Sequence, residues 1–103
     1  MNKEEHLLIL LKEECAEIIQ IASKINRFGW SSTKSAMDGI TNTEQLQNEI
    51  ADLTGILRML YREVPHLKLY MDDKQIFEAK VQEKISRTER YMEVSRNLGR
   101  LQL

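Results

Sequence analysis

Acidic residues recur on two segments of this chain with the same spacing. Glu14 and Glu17 are three residues apart, and Glu49 and Asp52 repeat that interval. In an α-helix, residues at i and i+3 lie on the same face about one turn apart. Both pairs are set among residues that proteins normally bury, and carboxylates there are costly unless a positive charge meets them. The pattern therefore indicates a place where positive charge binds.

The ligand atoms of these four residues are all oxygen. They would lie close together if the two segments form antiparallel helices, and their mutual repulsion would then favour a divalent cation. No His or Cys lies at helical spacing from them, so Mg²⁺ first and Mn²⁺ second are favoured over zinc. Magnesium held by a few carboxylates keeps positions open for water and substrate phosphate. The competing interpretation is a non-catalytic helical interaction module whose carboxylates are solvated surface charges.

The first of three predicted helices carries Glu14 and Glu17. Asn2 followed by Glu5 is typical of a capping box, and Gly29 is typical of a residue that ends a helix. The helix should therefore begin almost at the first residue and end at Phe28. One face repeats at intervals of three and four residues. It comprises Leu7, Leu10, Leu11, Glu14, Glu17, Ile18, Ile21, Ile25 and Phe28.

Two further helices follow a long connection. Residues 29–42 predict a loop with a possible helical turn at residues 34–38, and Asn42 or Thr43 should cap the second helix. That helix should end near Glu63, before Pro65. A loop with one helical turn is expected at residues 66–71, and Asp72 or Asp73 should cap a third helix that ends at residues 97–99. The expected apolar faces are Leu46, Ile50, Leu53, Leu57 and Leu60, and then Phe77, Val81, Ile85, Thr88 and Met92.

These elements predict an all-α fold, with one domain over residues 1–103 formed by an antiparallel bundle of three main helices. A chain of 103 residues buries a thin core, so we expect oligomerisation to complete it. No apolar run reaches the length of a membrane span, and no signal peptide is apparent, which favours the cytoplasm. The net charge of −1 argues against binding to a nucleic-acid polymer.

Four other side chains could carry chemistry but have simpler interpretations. Cys15 is the only cysteine and has no C-x-x-C partner, so we interpret it as a small packing residue. His6 and His66 are isolated, which is typical of surface or packing residues. Trp30 should pack in the core or at an interface, the alternative being a flat surface for a nucleobase.

The motif Glu13-Glu14-x-x-Glu17 followed by Glu49-x-x-Asp52 resembles the signature of the MazG-like, all-α nucleoside triphosphate pyrophosphohydrolases. The resemblance covers nearly the whole chain and extends to small phage-type or bacterial single-domain members. It is carried by EECAEIIQ at residues 13–20, SKINRFG at residues 23–29, and RYM with SRNLG at residues 90–92 and 95–99.

The resemblance implies Mg²⁺-dependent hydrolysis of an NTP or dNTP to the monophosphate and pyrophosphate, inside a bacterium or a phage-infected host. Glu14, Glu17, Glu49 and Asp52 would be the metal ligands, and Glu13 belongs to the catalytic motif although it faces about 100° away from Glu14. Homodimers or homotetramers are implied as well. The expected phosphate-binding side chains are Lys24, Arg27, Lys80 and Lys84.

This chain departs from the family pattern at two places. Thirty-one residues separate Glu17 from Glu49, which is longer than in many compact members of the family. The loop that contains Trp30 is therefore particular to this chain. An Asn often precedes the later basic pair in the family, whereas the corresponding region here reads Glu78-Ala79-Lys80. A phosphoribosyl-ATP pyrophosphohydrolase is the alternative within the same fold.

Overall fold

The fold is all-α. A computed structural model describes residues 1–33, 39–67 and 73–103. Over these ranges the chain forms three long helices and no strand, as the sequence predicts. They are α1 (Lys3–Phe28), α2 (Asn42–Glu63) and α3 (Lys74–Asn97), and a short 3₁₀ turn spans Pro65–Leu67. No helix in the described ranges is long and apolar enough to cross a membrane.

Local capping fixes both ends of α1. The Asn2 side chain accepts a hydrogen bond from the Glu5 amide at 2.8 Å, and the Glu5 carboxylate accepts one from the Asn2 amide at 3.0 Å. This reciprocal pair is the predicted capping box. At the other end Gly29 adopts φ 88° and donates its amide to the Ile25 carbonyl at 2.8 Å. Both predicted ends of α1 are confirmed.

The cap of α2 is Thr41, so the prediction of Asn42 or Thr43 is wrong by one or two positions. The Thr41 hydroxyl accepts a hydrogen bond from the Glu44 amide at 3.1 Å. Asn42 is instead buried, with 3% exposure, and its Nδ2 donates to the Gly29 carbonyl at 3.0 Å. A polar side chain that could cap a helix thus closes the base of the preceding loop. The predicted helix end at Glu63 is confirmed.

Helices α1 and α2 pack antiparallel. Lys3, at the start of α1, forms an ion pair of 3.1 Å with Glu63, the last residue of α2. At the opposite end the Asn42–Gly29 hydrogen bond joins the start of α2 to the end of α1. The buried apolar core of the described residues consists of Leu7, Ile21, Ile25 and Leu60.

The described chain divides into two units, Met1–Pro65 and His66–Leu103. The prediction of one domain over residues 1–103 remains a prediction. The second unit contains α3, whose N-cap is Asp73, as one of the two predicted alternatives states. The expected helical turn at residues 34–38 lies outside the described residues, as does most of the segment at residues 66–71.

Several predicted packing positions are wrong for the single chain. Ile50 and Phe28 are 49% and 60% exposed, and Cys15 is also exposed. Trp30 is 57% exposed, which rules out the core position. An interface position and a flat surface for a nucleobase both remain predictions. The periodicity of these residues identifies an apolar face, but α1 and α2 each cover only part of the other.

Helix α3 buries none of its described residues, although the sequence predicts a buried face. Along that face Phe77, Ile85 and Met92 are each about 40% exposed.

Candidate metal centre

The structure brings the four predicted carboxylates into one group. One carboxylate oxygen from each of Glu14, Glu17, Glu49 and Asp52 can be chosen so that all four lie within 4.8 Å of one another. We call these four residues the acidic cluster. All four belong to the Met1–Pro65 unit, two from each of its helices. Such separations suit oxygen atoms that share one or two small cations.

The antiparallel packing places each residue of the acidic cluster opposite a partner. Lys3 pairs with Glu63, and the same register, counted inward from that ion pair, sets Glu14 opposite Asp52 and Glu17 opposite Glu49. Charge interactions follow this register, because Asp52 acts on Glu14 and Glu17 acts on Glu49. The two i, i+3 intervals are therefore matched across the helix pair.

Glu14 occupies a position in the core stripe of α1. It lies seven residues after Leu7 and seven before Ile21, which are 2% and 0% exposed. Seven residues are close to two helical turns, so these three side chains share one face. An apolar residue at position 14 would continue the core, and the glutamate interrupts it.

Each helix supplies one half-buried and one exposed carboxylate. Glu14 and Glu49 form the inner pair, whereas Glu17 and Asp52 reach solvent. Atom Oε2 of Glu14 and atom Oε2 of Glu49 are buried without a hydrogen-bond partner. Buried polar atoms are normally satisfied, so these two oxygens fit a bound cation. The all-oxygen donor set fits Mg²⁺ or Mn²⁺.

The inner pair resists ionisation in the absence of a cation. Burial, followed by the negative charges of Glu17 and Asp52, raises the pKa of Glu14 above its usual value of 4.5. The pKa of Glu49 rises to about 7, first because its carboxyl forms a hydrogen bond with that of Glu17, and then because of burial and neighbouring charge. A Glu49 carboxyl that keeps its proton lowers the negative charge of the acidic cluster.

The predicted phosphate-binding residues of α1 lie beyond the acidic cluster. Lys24 is half-buried and lines a depression of about 140 Å³ with Phe28, Ser32, Thr33 and Asn42. Arg27 is exposed, and its guanidinium carbon lies 5.0 Å from the centroid of the Phe28 ring. Lys24 therefore lies at a concave surface, whereas Arg27 stacks on its neighbour.

The remaining predicted residues are Glu13 on α1 and two lysines on α3. Glu13 is exposed, and its negative charge contributes the smallest of the effects that raise the pKa of Glu14. Lys80 and Lys84 lie one turn apart on α3, in the His66–Leu103 unit, and Lys80 approaches Glu83 at 3.9 Å. Their roles toward a substrate remain predictions.

Sequence reasoning missed the polar surface at the base of the loop. Ser32 and Thr33 lie in a stretch without sustained periodicity, and only their hydrogen-bonding types could have drawn attention to them. Asn42 carried a signal, but that signal was interpreted as a helix cap.

Comparison of the chain with protein families, with curated proteins and with solved structures found no match. The acidic cluster and its surroundings therefore have to be interpreted from their own chemistry and from the motif resemblance.

Proposed function

We propose that this protein is a Mg²⁺-dependent hydrolase that converts a nucleoside triphosphate, NTP or dNTP, to the monophosphate and pyrophosphate. The observation that carries the proposal is the convergence of four carboxylate oxygens within 4.8 Å, two helices contributing two residues each. The unsatisfied Oε2 atoms of the inner pair support a cation in that position. The motif resemblance to the MazG-like pyrophosphohydrolases supports the choice of substrate.

The inner pair and the exposed pair, Glu17 and Asp52, would have different roles. Glu14 and Glu49 would hold Mg²⁺ from the helix interface, and Glu17 and Asp52 would complete the ligand set at the solvent side. Magnesium bound there would neutralise the carboxylates, bind triphosphate oxygens and lower the pKa of an attacking water. The solvent-facing oxygens of Glu17 and Asp52 can accept hydrogen bonds from that water and so orient it for in-line attack.

Lys24 contributes a positive charge on the same face of α1 as Glu17. The seven residues between them correspond to about 10 Å along the helix. The Lys24 ammonium would bind an oxygen of the substrate rather than a carboxylate of the cluster. Glu13 is exposed and faces away from Glu14, so it would act only through long-range charge.

Oligomerisation belongs to the same proposal. Only four apolar residues of the described chain are buried, while large apolar side chains of α1 and α3 remain exposed. Docking against further copies, as a homodimer or homotetramer, would cover those faces. Light scattering coupled to size-exclusion chromatography would give the mass directly, and a monomer at micromolar concentration would refute this part.

The activity test is a chromatographic assay of NTPs, dNTPs and phosphoribosyl-ATP with Mg²⁺. Glu17→Gln and Asp52→Asn keep side-chain size, and each should lower turnover about 100-fold or more, because a metal site supplies several kcal/mol at 1.4 kcal/mol per tenfold. Glu78→Gln removes an exposed carboxylate of α3 and serves as the matched control. Absence of turnover with every triphosphate would refute the proposal, and turnover of phosphoribosyl-ATP alone would select the alternative enzyme.

A further inference from the structure

The depression beside Lys24 lies where α1 ends and α2 begins, at the base of the loop that joins them. We call it the loop-base pocket, and its lining residues are Lys24, Phe28, Ser32, Thr33 and Asn42. The Asn42 amide donates to the Ser32 carbonyl at 2.7 Å, and Thr33 forms an isolated antiparallel bridge with Thr41. The buried Asn42 side chain anchors the same region to Gly29. Hydrogen bonds therefore hold Ser32 and Thr33 beside the first residues of α2.

Its lining combines a ring surface with polar groups. Phe28 is 60% exposed, and the Arg27 guanidinium lies over the ring at 5.0 Å. Ser32 and Thr33 carry hydroxyls that can donate or accept, while Lys24 can only donate. A flat ring with hydrogen-bonding edges satisfies both kinds of lining, because it can stack on an aromatic side chain while its edge meets polar groups.

The volume limits what can enter. About 140 Å³ is well below the roughly 300–1,000 Å³ of pockets that enclose a whole drug-sized ligand. One ring system can occupy such a space, but a nucleotide with its phosphates cannot. The rest of a nucleotide would have to lie outside, along the surface of the helix pair.

The acidic cluster lies along α1 from the loop-base pocket, where the phosphates of such a nucleotide would extend. Lys24 follows Glu17 by two turns on one face of α1, so the pocket begins about 10 Å from the carboxylates. A nucleotide with its ring beside Phe28 could extend its phosphates toward the cluster along that face. Both features belong to the Met1–Pro65 unit.

We infer that the loop-base pocket binds the nucleobase of the substrate, with Phe28 as the stacking surface and Ser32 and Thr33 at the ring edge. This inference rests on the proposed function for the position of the phosphates. The stacking of a base on an aromatic side chain is typically worth a factor of ten or more in affinity. Ser32 and Thr33 would then determine which base is accepted.

Calorimetric titrations of the full chain with Mg²⁺ and either non-hydrolysable nucleoside triphosphate analogues or inorganic triphosphate separate the contributions of the base and of the phosphates to binding. Phe28→Ala and Thr33→Val should each weaken the binding of the nucleoside triphosphate analogues about tenfold. The affinity for inorganic triphosphate should be unchanged. Ile19→Ala is the matched control, since Ile19 is 67% exposed and lies on the opposite side of α1 from Phe28. Equal weakening of both ligands, or no weakening of either, would overturn the inference.

A second measurement does not depend on catalysis or on the cluster. Nucleosides added without Mg²⁺ should shift the NMR signals of the Thr33 amide and the Asn42 side-chain amide, and the shifts should disappear in Phe28→Ala. No shift at millimolar nucleoside would overturn the inference. Shifts by nucleosides together with no binding of inorganic triphosphate would support the base pocket and refute the proposed function, so the two failures are distinguishable.

Discussion

The substitution Glu49→Gln should stabilise the metal-free protein and abolish its stabilisation by Mg²⁺. Glutamine keeps the size and hydrogen-bonding capacity of the side chain but cannot ionise. In the folded chain the pKa of Glu49 is about 7, against an ordinary value of 4.5, because of Glu17, burial and neighbouring negative charge. The unfolded chain has none of these interactions, so ionisation of Glu49 at high pH opposes folding.

The sign follows from proton binding. Between pH 4.5 and about 7 the folded protein keeps a proton on Glu49 that the unfolded chain has released. The free energy of unfolding therefore falls as pH rises through this window, and the contribution is fully retained below it. At 1.4 kcal/mol per pKa unit the difference corresponds to about 3 kcal/mol. Solvent screening of this half-buried carboxylate reduces the difference to about 1–2 kcal/mol.

Urea unfolding followed by circular dichroism would measure these differences. In EDTA at pH 8 Glu49→Gln should be more stable than the parent by about 1–2 kcal/mol, and the difference should vanish near pH 4.5. Mg²⁺ at a hundredfold excess over its dissociation constant should stabilise the parent by about 2.7 kcal/mol. The variant should gain little, so the order of stability reverses.

Glu78→Gln, an exposed substitution in α3, controls for the loss of one negative charge. A Glu49→Gln variant no more stable than the parent at pH 8 in EDTA would show that the cluster carries no repulsion. Equal stabilisation of both proteins by Mg²⁺ would instead show that Glu49 is not a metal ligand.

Two further predictions concern the frame that holds the cluster. Ile21→Ala should lower the free energy of unfolding by about 2–5 kcal/mol because Ile21 is fully buried. The control Ile19→Ala, at an exposed position, should change it by less than about 0.5 kcal/mol. Equal stability of the two variants in urea unfolding would contradict the burial of Ile21. Asn42→Ala leaves the Gly29 carbonyl without its donor at 3.0 Å and should lower the free energy of unfolding by about 1–3 kcal/mol. Hydrogen exchange at the backbone amide of residue 42, which donates to the Ser32 carbonyl, should become faster; unchanged stability and exchange would refute the anchoring role.

The parts of the fold that sequence reasoning predicts are those decided locally. The ends of α1 depend on Asn2, Glu5 and Gly29, and each acts on backbone groups within four residues. The grouping of the cluster needed one further assumption, that α1 and α2 pack antiparallel. Once that holds, the register marked by the Lys3–Glu63 ion pair aligns the equal i, i+3 intervals and brings the four carboxylates together.

What could not be predicted depends on contacts far apart in the chain. Asn42 reaches a carbonyl thirteen residues away, and no local rule distinguishes that bond from a helix cap. The division of the cluster into a half-buried and an exposed pair depends on the rotation of each helix about its axis. Periodicity places Ile50 on the apolar face of α2, but it does not predict that α1 leaves this side chain uncovered.

The position of the cluster explains how the fold tolerates it. Leu7 and Ile21 flank Glu14 in one stripe, and burial of an apolar side chain of that size stabilises by about 1.5–3 kcal/mol. The repulsion estimated for Glu49 is of similar size or smaller, so the flanking core can hold the carboxylates together without a cation. A cation would then enter a group already in place and displace a proton, rather than having to organise the site. This order requires Ile21 more than any single carboxylate, because without the flanking core the helices can separate and the charges move apart.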